Sequence, residues 1–127
     1  MMKIKNELIA MLALGVIVFT AQTGDLRGQA RAPAYVITEI EVTDAEAFKE
    51  YAPQVQSSFM PFGGRYLVRG GETQSLAGDS PKRVVVLAFD SIGQAQAWYA
   101  SSQYEALKAL RDKAGRARIF AVEGLAP

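Results

Sequence analysis

The residues Tyr35–Val42 (YVITEIEV) alternate: Val36, Thr38, Ile40 and Val42 fall on one side, Tyr35, Ile37, Glu39 and Glu41 on the other. That is the period of a strand with one face on a core. Thr43-Asp44-Ala45-Glu46 then fits a capping box with threonine as the N-cap, and Phe48, Tyr51, Ala52, Val55, Phe59 and Phe62 follow at helical spacing. Pro53 lies inside this apolar stripe and predicts a kink, because it removes a backbone donor and crowds the preceding turn. The next run, Gly63–Gly71 (GGRYLVRGG), reads as a short strand between glycine pairs, and Glu72–Ala77 either extends it or forms a short partner across the Gly70-Gly71 turn. Gly78-Asp79-Ser80-Pro81 predicts a turn. Arg83–Phe89 (RVVVLAF) is apolar on both sides and predicts a central strand. Capping boxes at Ser91-Ile92-Gly93-Gln94 and Ser102-Gln103-Tyr104-Glu105 divide Ser91–Ala114 into two helices that break at Ser101-Ser102, and Ala117–Glu123 (ARIFAVE) predicts a last strand.

Strand, helix, two strands, helical segment, strand is the βαββαβ order of a ferredoxin-like α+β fold, an antiparallel sheet with its helices on one face. The other face is then bare, and it carries Tyr35 and Ile37 beside the second apolar rows of the later strands. An apolar sheet face of this kind predicts a second sheet against it.

Composition narrows the chemistry. The 127 residues contain neither cysteine nor histidine, which excludes disulfides, thiol nucleophiles, histidine-based triads and zinc fingers. No metal site or cofactor is expected. Residues 1–30 differ from the rest: Lys3 and Lys5 precede the apolar run Leu8–Phe19, followed by a polar, glycine-bearing stretch, the layout of a secretory signal peptide. Small residues at Gly28 and Ala30 favour cleavage after Ala30 and a single domain over residues 31–127, located in the periplasm or secreted. An uncleaved membrane anchor is the lesser alternative, since the apolar run is shorter than the ~20 residues a span needs. Without residues 1–30 the domain is formally neutral and has no basic run, so nucleic acid is not an expected partner.

Three stretches carry a resemblance: AYVITEIEVTDAEAFKEYAP, GGRYLVRGG and KRVVVLAFDSIGQAQAWYASSQYEALKALR. In this order, with the Trp98-Tyr99 pair and the Ser-x-x-Tyr box, they resemble the domain-of-unknown-function family DUF1330 over nearly all of residues 34–125. The resemblance implies a dimeric α+β barrel, in which two ferredoxin-like protomers pair their open sheet faces, and hence a homodimer. It implies no particular reaction, although cofactor-free oxidation occurs within the barrel group. It also implies a pocket between helices and sheet, with Arg69, Trp98, Ser101, Tyr104 and Arg111 as candidate ligand-binding residues.

Read from the residues alone, alternation places Arg65, Leu67 and Arg69 on one face of their strand and Tyr66 and Val68 on the other. Arg69, beside Gly70-Gly71, is suited to grip a carboxylate through its planar fork of donors; the structural alternative pairs either arginine with Glu39, Glu41 or Glu123. Trp98, Tyr99 and Tyr104 could line one cavity, but an aromatic pair at a helix C-terminus is more often core than a ligand wall, and the structural reading leads for Trp98 and Tyr99. Without histidine, acid-base chemistry near neutral pH needs a carboxylate raised or a lysine lowered by burial, and no phosphate-binding loop is present. Two functional readings follow. One is a domain that binds a small anionic or aromatic organic molecule, with weak isomerase or cofactor-free monooxygenase-like activity as an extension. The other is a non-catalytic interaction protein whose arginines and tyrosines serve a dimer interface.

Overall fold

The computed structural model describes residues 31–127; the segment read above as a signal peptide, with its expected cleavage point, lies outside the described residues. The elements are β1 (Ala34–Val42), α1 (Ala45–Phe59) with a 3-10 turn at Met60–Phe62, β2 (Arg65–Arg69), β3 (Val84–Phe89), α2 (Ile92–Tyr99), α3 (Ser102–Ala114) and β4 (Gly115–Glu123). They form one four-stranded antiparallel sheet in the order β2-β3-β1-β4, the ferredoxin-like arrangement the sequence predicts. No helix among the described residues is long and apolar enough to cross a membrane.

The register explains which side of the sheet is covered. Val36 lies opposite Leu87 on one neighbour and Ala121 on the other, and Ala34 lies opposite Phe89. Val36, Leu87 and Phe89 meet Tyr51, Val55 and Phe59 of α1, Trp98 of α2, and Tyr104 and Leu107 of α3 in one buried cluster. The opposite face is open: Val68, Phe120 and Val122 are 39%, 38% and 44% exposed. Glu39 and Glu41 continue this open face as ion pairs to Arg118 and Arg116 at 3.9 and 2.6 Å.

Several local expectations change. Asp44, not Thr43, caps α1, its Oδ1 accepting from the Ala47 amide at 3.1 Å, while the amides of Thr43 and Asp44 both donate to the Ala114 carbonyl. α3 starts one residue early: Ser101 Oγ accepts from the Tyr104 amide at 3.2 Å, so Ser102 is the first helical residue and not the cap. α1 runs through Pro53 as one helix; the proline is on its exposed side, where water can reach the Lys49 carbonyl that lacks its helical donor. Residues 72–77 form no strand but belong to an irregular connection.

The largest correction concerns β2. Tyr66 pairs with Leu87 but Val68 with Val86, so Leu67 is an extra residue, a β-bulge. Alternation is reset by one position. Arg65 and Val68, opposite Ala88 and Val86, face the open side, whereas Tyr66 and Arg69, opposite Leu87 and Val85, face the helices. The two arginines therefore do not share a face.

At the start of β4, Gly115 lies so close to the Glu41 carbonyl that a Cβ there would overlap it. Gly115→Ala should cost about 1–3 kcal/mol by forcing strands apart. Urea denaturation measures this, and a midpoint equal to wild type would show that the β1–β4 ladder yields without cost.

Candidate functional site

The bulge delivers Arg69 to a cleft between α1, α3 and the sheet. Its guanidinium lies over the Tyr66 ring at 4.6 Å. Arg83, just before β3, enters from the adjacent strand and stacks at 5.0 Å over Phe48. Its Nε is buried and has no hydrogen-bond partner. Gly70 makes room for it: the backbone there has φ +71°, and any Cβ would strike the Arg83 guanidinium. This accounts for the first glycine after the strand by both conformation and close approach.

The floor is aromatic and hydroxylated. Tyr51 of α1 and Tyr104 of α3 are both buried, with their hydroxyls 2.7 Å apart. Trp98 lies 4.5 Å from the Tyr104 ring and donates its indole N–H to Ser58 Oγ at 2.9 Å. Ser58 in turn donates to the Val55 carbonyl, so the indole proton, costly to bury alone, is satisfied within the core. Thr38, Ile40, Val55, Val85 and Leu87 complete the walls around about 50 Å³ of space. That is room for a few non-hydrogen atoms, given that a single water needs about 10–15 Å³ on this measure.

The charges in this cleft are one-sided. Its lining has two guanidinium groups and no carboxylate. Of the glutamates expected as partners, Glu41 and Glu39 pair with Arg116 and Arg118 across β1 and β4, Glu123 makes no ion pair among the described residues, and Arg65 approaches Asp90 at 3.9 Å. Among the described residues neither Arg69 nor Arg83 makes an ion pair. Burial pushes the Tyr51 phenol well above its ordinary range, reinforced by the neighbouring Tyr104. Burial raises Tyr66 too, with Arg69 and Arg83 partly opposing it. Both therefore stay protonated at neutral pH. No cluster of three or more potential metal-ligating side chains occurs among the described residues. A larger cavity of about 230 Å³, on the far side of Trp98 beside β4, is lined by Val36, Ala95, Gln96, Tyr99 and Ile119 among others and has no charged group. It offers space without recognition.

The model of the family Domain of unknown function (DUF1330) matches residues 33–125. The chain belongs to the DUF1330 family. Its fold is similar to that of a protein of unknown function from Rhodopseudomonas palustris, with 16% identity, 80% of this chain and 89% of that one covered, and a TM-score of 0.62. It is also similar to SnoaB, a cofactor-independent oxygenase from Streptomyces nogalater, with 7% identity, coverage of 76% and 96%, and a TM-score of 0.56. A conserved protein of unknown function from Bacteroides thetaiotaomicron aligns with 10% identity, coverage of 74% and 99%, and a TM-score of 0.53. At these identities the likeness is one of fold. No curated protein matches the chain.

Within this DUF1330 domain the five residues singled out from the sequence take different places. Arg69, Trp98 and Tyr104 line the cleft. Arg111 stands behind it and donates Nη1 to the hydroxyls of Tyr99 at 3.1 Å and Tyr104 at 3.4 Å. Burial opposes its charge, but the bonds to the two tyrosines outweigh that and raise its pKa further. Ser101 is outside: its hydroxyl donates to the Trp98 carbonyl and accepts from the Tyr104 amide, which joins α2 to α3. Sequence reasoning missed Arg83, Tyr51 and Tyr66 as wall residues. Arg83 had one usable signal, a charge adjoining an apolar strand across the loop from a glycine pair.

The raised pKa of Tyr51 gives a pH dependence. A phenol protonated in the fold contributes stability that is fully present below its unfolded pKa, near 10.0, and is lost as pH rises above it. Urea midpoints of Tyr51→Phe should therefore fall less steeply than wild type above that pH, by up to about 1.4 kcal/mol per pH unit. Parallel profiles would mean that Tyr51 ionises in the folded state as it does in the unfolded chain.

Proposed function

We propose that this DUF1330 domain binds a small organic acid, with the acid group held by Arg69 and Arg83 and its apolar or aromatic body against Phe48, Val55 and Trp98. One observation carries the reading: two guanidinium groups converge on an aromatic-walled cleft without a carboxylate, and one buried donor, Arg83 Nε, has no partner. Buried polar atoms are nearly always satisfied, so a donor left over in a cleft invites an acceptor from outside. A charge-assisted, planar contact of this kind suits a carboxylate. The cleft's ionisable lining is otherwise tyrosine, and the buried phenols are donors at neutral pH, which favours binding over proton abstraction. The chemistry named for SnoaB would need a reactive substrate brought to this cleft; nothing in the lining supplies a base for it.

Trp98 is the single tryptophan and lines the cleft, so its fluorescence reports occupancy. Titration with short-chain and aromatic carboxylates should give saturable changes, weakened about tenfold or more in Arg69→Met and in Arg83→Met. Equal affinity in wild type and both variants would remove the basis of the reading.

We further propose that the domain acts as a homodimer closed across the bare sheet face. The exposed apolar side chains Val68, Phe120 and Val122 and the likeness to α+β barrel folds support it. Phe120→Glu would bury a charge in that interface and should convert the dimer to a monomer in sedimentation velocity. A wild-type monomer at high micromolar concentration would defeat this part of the proposal.

A further inference from the structure

The hydrogen-bond donors at the cleft floor outnumber their acceptors. Tyr51 and Tyr104 have two hydroxyl protons between them and share one hydrogen bond; among the described residues neither hydroxyl donates anywhere else. One proton is therefore left over. Arg111 decides which. Guanidinium only donates, so at Tyr104 the hydroxyl oxygen is the acceptor, and accepting from a cation makes that hydroxyl a better donor to its next partner. Either hydroxyl of the pair could donate; the Arg111 contact favours the polarity Arg111 to Tyr104 to Tyr51, which leaves free the proton of Tyr51, a buried side chain on the cleft wall.

The same cleft holds Arg83 Nε, a second donor without a partner, and the exposed guanidinium of Arg69. We infer that Tyr51 is a specificity-determining donor, and that the preferred ligand is a small acid bearing a second oxygen acceptor, an oxo acid, with its carboxylate at the arginines and its carbonyl oxygen at the Tyr51 hydroxyl. Arg111 touches no ligand in this arrangement. It is a positioning residue that sets the direction of the tyrosine pair. The inference rests on the acid-binding reading above and adds what that reading leaves open, the second functional group.

The test compares two acids with the same carbon chain, 2-oxobutanoate and butanoate, by Trp98 fluorescence and calorimetry on the protein. The wild type should prefer the oxo acid about tenfold or more, because butanoate leaves a buried donor unpaired. Tyr51→Phe, which removes the donor, should erase that preference and bring the two acids to equal affinity. Tyr104→Phe, which keeps the Tyr51 proton, should retain it in part, and Arg111→Leu should narrow it without moving butanoate affinity. Equal wild-type binding of the two acids overturns the inference while leaving acid binding intact. A preference that survives in Tyr51→Phe but disappears in Tyr104→Phe overturns the polarity. Failure of both acids to bind overturns this inference and the acid-binding reading together.

Discussion

The domain is organised around one buried indole. Trp98 is 2% exposed, stacks on Phe89 of β3 at 5.7 Å, meets Phe59 of α1 edge-on at 6.4 Å and lies 4.5 Å from Tyr104 of α3. Its N–H cannot be buried without an acceptor, and that acceptor comes from Ser58, forty residues earlier on the opposite helix. Sheet and all three helices are thus located relative to one ring and one hydrogen bond. Because Tyr104 packs on that ring and bonds Tyr51, the position of the cleft floor follows from the position of the indole.

A packed core of this sort places walls; the charges come from elsewhere. The bulge at Leu67 turns one arginine of a strand toward the helices and leaves the other on the open face, and the positive φ of Gly70 lets Arg83 fold over the same space. Two of the carboxylates that could have neutralised them, Glu39 and Glu41, are engaged across β1 and β4 on the far side of the sheet. The result is a cleft with donors and cations but no internal acceptor of charge, next to a core that is otherwise satisfied. An unpaired cation over an aromatic ring keeps a modest stabilisation, about 0.5–1 kcal/mol when exposed, and remains free to trade it for an anion.

Much of the architecture is legible in the sequence because it rests on local rules. Alternation in Tyr35–Val42, the unbroken apolar run before Phe89, the serine cap at Ser91 and the break near Ser101 each depend on neighbours within a few residues, and βαββαβ order follows from their succession. The places where the reading slipped lie at element boundaries, where several groups could fill one role. α1 is capped by Asp44 and not Thr43 where the chain is tied to the Ala114 carbonyl, seventy-one residues beyond Thr43, by the amides of both residues. Ser101 was read as a candidate ligand residue although its hydroxyl serves the α2–α3 junction.

Sequence alone determined the strands, the helices, the balanced charge of residues 31–127 and the absence of histidine and thiol chemistry, since each is a property of residue type or of short-range periodicity. Tertiary structure decided the side on which Arg69 emerges, the presence of Arg83 and Tyr51 in the same cleft, and the commitment of the glutamates elsewhere. A bulge is a matter of pairing register between two strands, and a hydrogen bond such as Tyr51 to Tyr104 joins residues fifty-three apart; no local pattern encodes either. The candidate site belongs to that second class because it is made of what the packed core left unpaired.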